Sequence, residues 1–124
     1  MNHLTAEEII LGHDLAIERY GGLSGPTDPA RVETLIELVR NYEYYNAQSS
    51  VFVLAALYCV SIAKGHVFLD GNKRTSINAA YLFLMRNEVE VHELADLEDV
   101  VIKVATDAIS IEELAAYFES AFGH

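Results

Sequence analysis

The residue types best equipped for chemistry crowd into one short stretch, Gly65-His66-Val67-Phe68-Leu69-Asp70-Gly71-Asn72-Lys73-Arg74-Thr75. Histidine is the side chain that changes charge near neutrality, so His66 can take a proton from an attacking hydroxyl. Asp70 is the one carboxylate nearby. Mg2+ takes one or two protein carboxylates and fills its other positions with phosphate oxygens and water, so a lone aspartate among phosphate-binding groups suits it. Arg74 can grip phosphate oxygens with its fork while Lys73 acts as a point charge. Gly71 lets a ligand approach the backbone, and a helix opening at Asn72 would add free N–H groups and the positive end of its dipole. Each residue also has a plainer use: Asp70 suits a helix cap, which is compatible with holding a metal, Asn72 a helix start, and Lys73 and Arg74 a solvated face.

The charge distribution favours the chemical reading of the two bases. The formal net charge is −11, from 8 Lys and Arg against 19 Asp and Glu. Beyond Asn87, Lys103 is the one base among Glu88, Glu90, Glu93, Asp96, Glu98, Asp99, Asp107, Glu112, Glu113 and Glu119. Between Val60 and Arg86 the balance reverses, with Lys64, Lys73, Arg74 and Arg86 against Asp70 alone. An acidic chain that keeps positive charge in one segment points to a small anionic ligand there, and it argues against general nucleic-acid binding.

The elements that must position this segment read as helices. Thr5-Ala6-Glu7-Glu8 is a capping box, with Leu4 and Ile9 placed as its hydrophobic staple. Ile9, Ile10, His13, Ile17 and Tyr20 then recur at helical spacing until Gly21-Gly22 ends the run. Asp28-Pro29 opens a second helix with Val32, Leu35, Ile36 and Val39 inward. Glu43 to Ser50 reads as a connecting loop. Val51 to Lys64 is apolar on every side, which predicts a helix buried all round. Asn72 to Arg86, a segment from about Asp96, and the capping box Ser110-Ile111-Glu112-Glu113 open the remaining helices.

The expectation is an all-α, compact single-domain bundle of about six helices over residues 1–124. At 124 residues and 52% hydrophobic content the chain can bury a core without staples. Its single cysteine, Cys59, falls inside the buried helix and is expected to be inert packing. The longest nearly apolar run, Val51 to Ala63, is too short to span a bilayer, and the start lacks a signal-peptide pattern, so a cytoplasmic protein is expected. Asn78, four residues after Arg74, could share its helix face, or face solvent. Arg19 could serve a ligand or bind the carbonyls of its own helix end. His13, on an apolar face, reads as a satisfied core histidine. Tyr42, Tyr44 and Tyr45 read as core edge, with a docking surface as the second use.

His66 to Arg74 resembles the His-x-Phe-x-Asp-x-Asn-Lys-Arg motif of the Fic/Doc superfamily, in particular its death-on-curing (Doc) toxin branch. Arg19-Tyr20-Gly21-Gly22-Leu23, the Asp28-Pro29 start, Asn78 and the overall length are similar to that branch too, so the resemblance covers essentially the whole chain. It implies a helical toxin that uses ATP and Mg2+ to phosphorylate a threonine of elongation factor Tu, halting translation. Carried over by position, His66 would be the general base and Asp70 the Mg2+ ligand. Gly71, Asn72, Lys73 and Arg74, with Asn78 and Arg19 beside them, would bind the nucleotide's phosphates.

Two departures bear on this. Val67 stands where many members have Pro, and Lys73 stands where the AMP-transferring branch has Gly. The chain also lacks the Ser/Thr-x-x-x-Glu-Gly/Asn inhibitory motif of self-restrained members. The resemblance therefore implies a cognate antitoxin, of the prevents-host-death type, that lays an apolar segment in a groove. The competing readings are AMP transfer and a toxin that blocks translation by binding alone.

Overall fold

A computed structural model describes residues 1–123. Helix α1 spans Ala6–Tyr20, α2 Pro29–Tyr45, α3 Val51–Gly65, α4 Asn72–Arg86, α5 Leu97–Ala105 and α6 Ile111–Phe122, and no strand occurs among the described residues. The all-α expectation holds, with six helices.

Four helix starts, those of α1, α2, α3 and α6, form where short polar side chains cap them. Thr5 Oγ1 accepts from the Glu8 amide, and the Thr5 amide donates to the Glu8 carboxylate. Leu4 and Ile9 close the staple beneath this cap, both buried. Asp28 accepts from the Ala30 amide ahead of α2, with Pro29 at the first helical position. Ser50 caps α3, and Ser110 with Glu113 repeats the reciprocal capping box on α6.

Helix α3 is the axis of the molecule. Leu54, Ala55, Ala56, Leu57, Tyr58, Cys59 and Ile62 are all buried, and they pack against α2, α4, α5 and α6. Each large apolar side chain so buried contributes about 1.5–3 kcal/mol. Burial pushes the Cys59 thiol up to about 12, which keeps it unreactive as expected. One buried cluster runs from Leu4 to Phe122 and joins all six helices. No helix among the described residues is long and apolar enough to cross a membrane.

The sequence reading fails at the end of α2. The expected loop from Glu43 begins only at Asn46, because the helix continues through Tyr45 and Asn46 closes it by donating its amide and its side-chain Nδ2 to the Tyr42 carbonyl. Glu43 inside that last turn is also tied down: the Met1 α-amine donates to Oε2 at 3.2 Å and His3 Nε2 lies 2.7 Å from Oε1. The tyrosines are not core edge either. Tyr44 and Tyr45 are each 79% exposed and meet edge to face at 5.0 Å.

The packing of α3 on α4 sets the position of the loop that joins them, residues 66–71. Helix α1 lies across α4 on one side and touches α2 on the other. Its C-terminal half therefore flanks that loop.

Candidate active site

The site is built at the junction of two helices. Helix α3 ends on Gly65, whose carbonyl accepts from Arg31 Nη2 of α2 at 3.1 Å. His66 then takes a left-handed conformation, φ 48° and ψ 43°, which turns the chain out of the helix. Its imidazole is exposed and makes no hydrogen bond among the described residues, which leaves both ring nitrogens open to a ligand.

The loop after His66 is anchored from inside. Val67 and Phe68 are buried. Asn72 fastens the same turn: its Nδ2 donates to the Phe68 carbonyl at 3.0 Å, and its Oδ1 accepts from the Phe68 amide at 3.2 Å. The Asn72 carboxamide thus closes the loop, and what it offers outward is the backbone N–H at the first position of α4.

Asp70 lies at the outer end of the loop, exposed and fixed by backbone amides. Its Oδ2 accepts from Leu23 N–H at 3.0 Å and its Oδ1 from Gly71 N–H at 2.8 Å. These two donors, Leu23 first, hold the Asp70 carboxyl below the usual carboxylate range. A charged carboxylate with each oxygen accepting one amide retains lone pairs for a cation. Among the described residues no group of three or more His, Cys, Asp or Glu gathers, so the donor set suits Mg2+ completed by phosphate and water rather than a protein cage.

Gly71 opens α4 in a left-handed conformation, φ 79°, and a Cβ there would meet Ile17 Cδ1 at 3.1 Å and His13 Nε2 at 3.6 Å. The position demands glycine on both counts. With glycine as its N-cap, α4 has no side-chain cap, so the amides of Asn72, Lys73 and Arg74 have no side chain to satisfy them. Gly22, on the facing turn, is similarly constrained: a Cβ would lie 3.0 Å from Asp70 Oδ2.

Arg74, Asn78 and Arg19 come together in a different part of the site. All three line a cleft of about 890 Å3 between α1, α4 and the segment 91–98. The Arg74 guanidinium lies 3.9 Å from the Tyr20 ring centroid and Arg19 lies 5.3 Å from it. Stacking on an aromatic face fixes the plane of the Arg74 fork while leaving its N–H groups free. Lys73 is exposed in the first turn of α4, with no hydrogen bond or ion pair among the described residues. The arrangement therefore has two parts, a loop carrying His66 and Asp70 and a cleft carrying two arginines and Asn78, joined at the start of α4.

Sequence reasoning missed two contributors. Tyr20 was legible only as a helix residue, and nothing in its spacing ties it to Arg74. His13 was expected to be a satisfied core histidine, and it is: 2% exposed, with Nε2 donating to the Asp70 carbonyl at 2.7 Å. Its partner, however, is the candidate loop itself.

Residues 3–84 match the model of the Fic/DOC family. The chain is 42% identical over 123 residues to the "Protein kinase doc" of Escherichia phage P1, covering 99% of this chain and 98% of that one. It is 33% identical over 116 residues to the "Toxin Doc" of Mycolicibacterium smegmatis, covering 91% and 83%. A family match across most of the chain, including the whole loop from His66 to Arg74, and a near full-length relative lead to one conclusion: the chain belongs to the Fic/DOC family.

Proposed function

We propose that this protein is the toxin of a toxin–antitoxin pair, and that it transfers the γ-phosphate of ATP to a Ser or Thr hydroxyl of a translation factor, elongation factor Tu by family resemblance. The names of its two relatives, one a protein kinase and one a toxin, support both halves of the reading. The observation that carries it is the start of α4: an uncapped helix N-terminus flanked by Asp70 and by Lys73 and Arg74. It is a place built for polyphosphate.

In this reading His66 accepts the proton of the target hydroxyl as its oxygen bonds to the γ-phosphorus. The bond from that phosphorus to the β–γ bridging oxygen breaks and ADP leaves. The α4 amides, Lys73 and the oriented Arg74 hold the phosphates, with Arg19 and Asn78 reaching them from the cleft. Asp70 would hold Mg2+, which when bound would supply positive charge against that building on the phosphate oxygens. Phosphoryl transfer asks little covalent work of a protein, so positioning supplies most of the rate.

The side chain of Lys73 supports γ- over α-transfer. Glycine at that position would leave a path along the helix start for the phosphates, and a lysine crowds it, favouring a nucleotide bound with its γ-phosphorus toward His66. The wall of the same cleft offers Leu15, Tyr20 and Met85, each more than half exposed, to the apolar segment of an antitoxin in the cytoplasm. Incubating the protein with cell extract and γ-labelled ATP tests the proposal. A single labelled translation factor is expected, and an unlabelled extract in which translation nonetheless stops would replace transfer with blocking by binding.

A further inference from the structure

His13 is buried in α1, and three separate features of it converge on the loop of the candidate site. Its ring lies flat on Phe68, with centroids 3.9 Å apart and planes within 5°. Its Nε2 meets the Asp70 carbonyl oxygen at 2.7 Å. A carbonyl has no proton to give, so the ring donates from Nε2. Its edge is in van der Waals range of the place where a Gly71 side chain would begin. Its Nδ1 lies 3.1 Å from the exposed carboxylate of Asp14, its neighbour on α1.

The Asp70 carbonyl belongs to the peptide whose N–H is that of Gly71, and Gly71 N–H is one of the two donors on the Asp70 carboxylate. A peptide unit is planar, so fixing its oxygen fixes its N–H. Rotation of that unit would withdraw the Gly71 N–H from Oδ1 and shift the first turn of α4, whose Thr75 amide donates to the Gly71 carbonyl at 3.0 Å. Asn72 holds the inner half of the loop, at Phe68. Among the described residues, His13 is the side chain from outside the loop that hydrogen-bonds the backbone of its outer half.

We propose that His13 is a positioning residue for phosphoryl transfer: by donating from Nε2 to the Asp70 carbonyl while stacked on Phe68, it fixes the Asp70–Gly71 peptide and with it the carboxylate and the phosphate-facing start of α4. The proposal rests on the transfer reading above. Partners that orient a ligating group in this way typically change activity or metal affinity about 10–100-fold when lost.

Two variants separate the donor from the packing. His13→Phe keeps a ring on Phe68 and removes the donor; His13→Gln gives up the ring and returns an N–H near the Nε2 position. The first measurement needs no nucleotide: amide hydrogen exchange at Gly71 and Leu23, whose N–H groups rest on Asp70. His13→Phe is expected to speed exchange at both amides and to lower kcat about 10–100-fold with KM for the protein target unchanged, while His13→Gln recovers most of both. A folded His13→Phe protein with ordinary exchange at these amides overturns the proposal. So does equal impairment of the two variants, and so does a His13→Phe chain that fails to fold, which would assign His13 to stability alone. If the unaltered protein transfers no phosphate, the transfer reading fails separately, and the exchange comparison still decides whether His13 holds the loop.

Discussion

Asn72 and Phe68 bind each other's turn at both ends, the Asn72 carboxamide donating to the Phe68 carbonyl and accepting from the Phe68 amide. The pair makes one helix start serve as the clasp of the loop before it. Within the motif, Phe68 and Asn72 shape the turn, while the side chains of His66, Asp70 and Lys73 are exposed.

Asn72→Ala leaves the part-buried Phe68 N–H and C=O without partners, and a loss of about 1–3 kcal/mol is expected. Urea unfolding measures it through the midpoint. A midpoint equal to that of the unaltered protein would mean that the buried Phe68 ring alone holds the turn.

His66→Ala should act on activity and leave stability nearly untouched. The imidazole is exposed and makes no hydrogen bond among the described residues, so truncating it is expected to change stability by about 0.5 kcal/mol or less. Growth inhibition and phosphate transfer should fall about 10²–10⁴-fold, the range for a lost general base. A folded variant that remains fully toxic would remove His66 from the mechanism.

Acid should weaken the contact between α1 and α4. Arg86 donates to both oxygens of Glu8 and to the His3 carbonyl, and the Arg86 guanidinium lowers the Glu8 carboxyl to about 2. A carboxyl depressed in the folded state contributes stability above its unfolded value of 4.5, and loses it as pH falls from about 5 to about 2. The full shift corresponds to roughly 3 kcal/mol, and solvent screening of this partly exposed pair reduces it to about 1–2 kcal/mol. Glu8→Gln should be less stable at pH 7 and should lose less than the unaltered protein between pH 5 and pH 3. Parallel stability curves for the two would place the acid sensitivity elsewhere.

Local signals in the sequence were read correctly and remote ones were not. The caps at Thr5, Asp28 and Ser110 depend on residues two or three positions away, so spacing alone locates them. The buried α3 was legible from a composition that leaves no polar face. The last turn of α2 was not, because Glu43 is anchored by Met1 and by His3, 40 residues distant. His13 shows the same limit at the site. A histidine on an apolar helix face reads as packing, and its bond to Asp70 spans 57 residues, a distance that no periodicity reports. Charge distribution points to Arg74, and resemblance alone to Arg19. The contact of Arg74 with Tyr20 belongs to the way α1 crosses α4.

The central claim is that the helix start at Lys73 presents the γ-phosphorus of ATP to a hydroxyl poised by His66. Two parallel reactions with purified protein, Mg2+ and the unlabelled target test it most directly, one with γ-labelled and one with α-labelled ATP. Label on the target from the γ position and none from the α position is the predicted result. Transfer of the α label would contradict the account: Lys73 would then not set the direction of the nucleotide, and the activity would be AMP transfer.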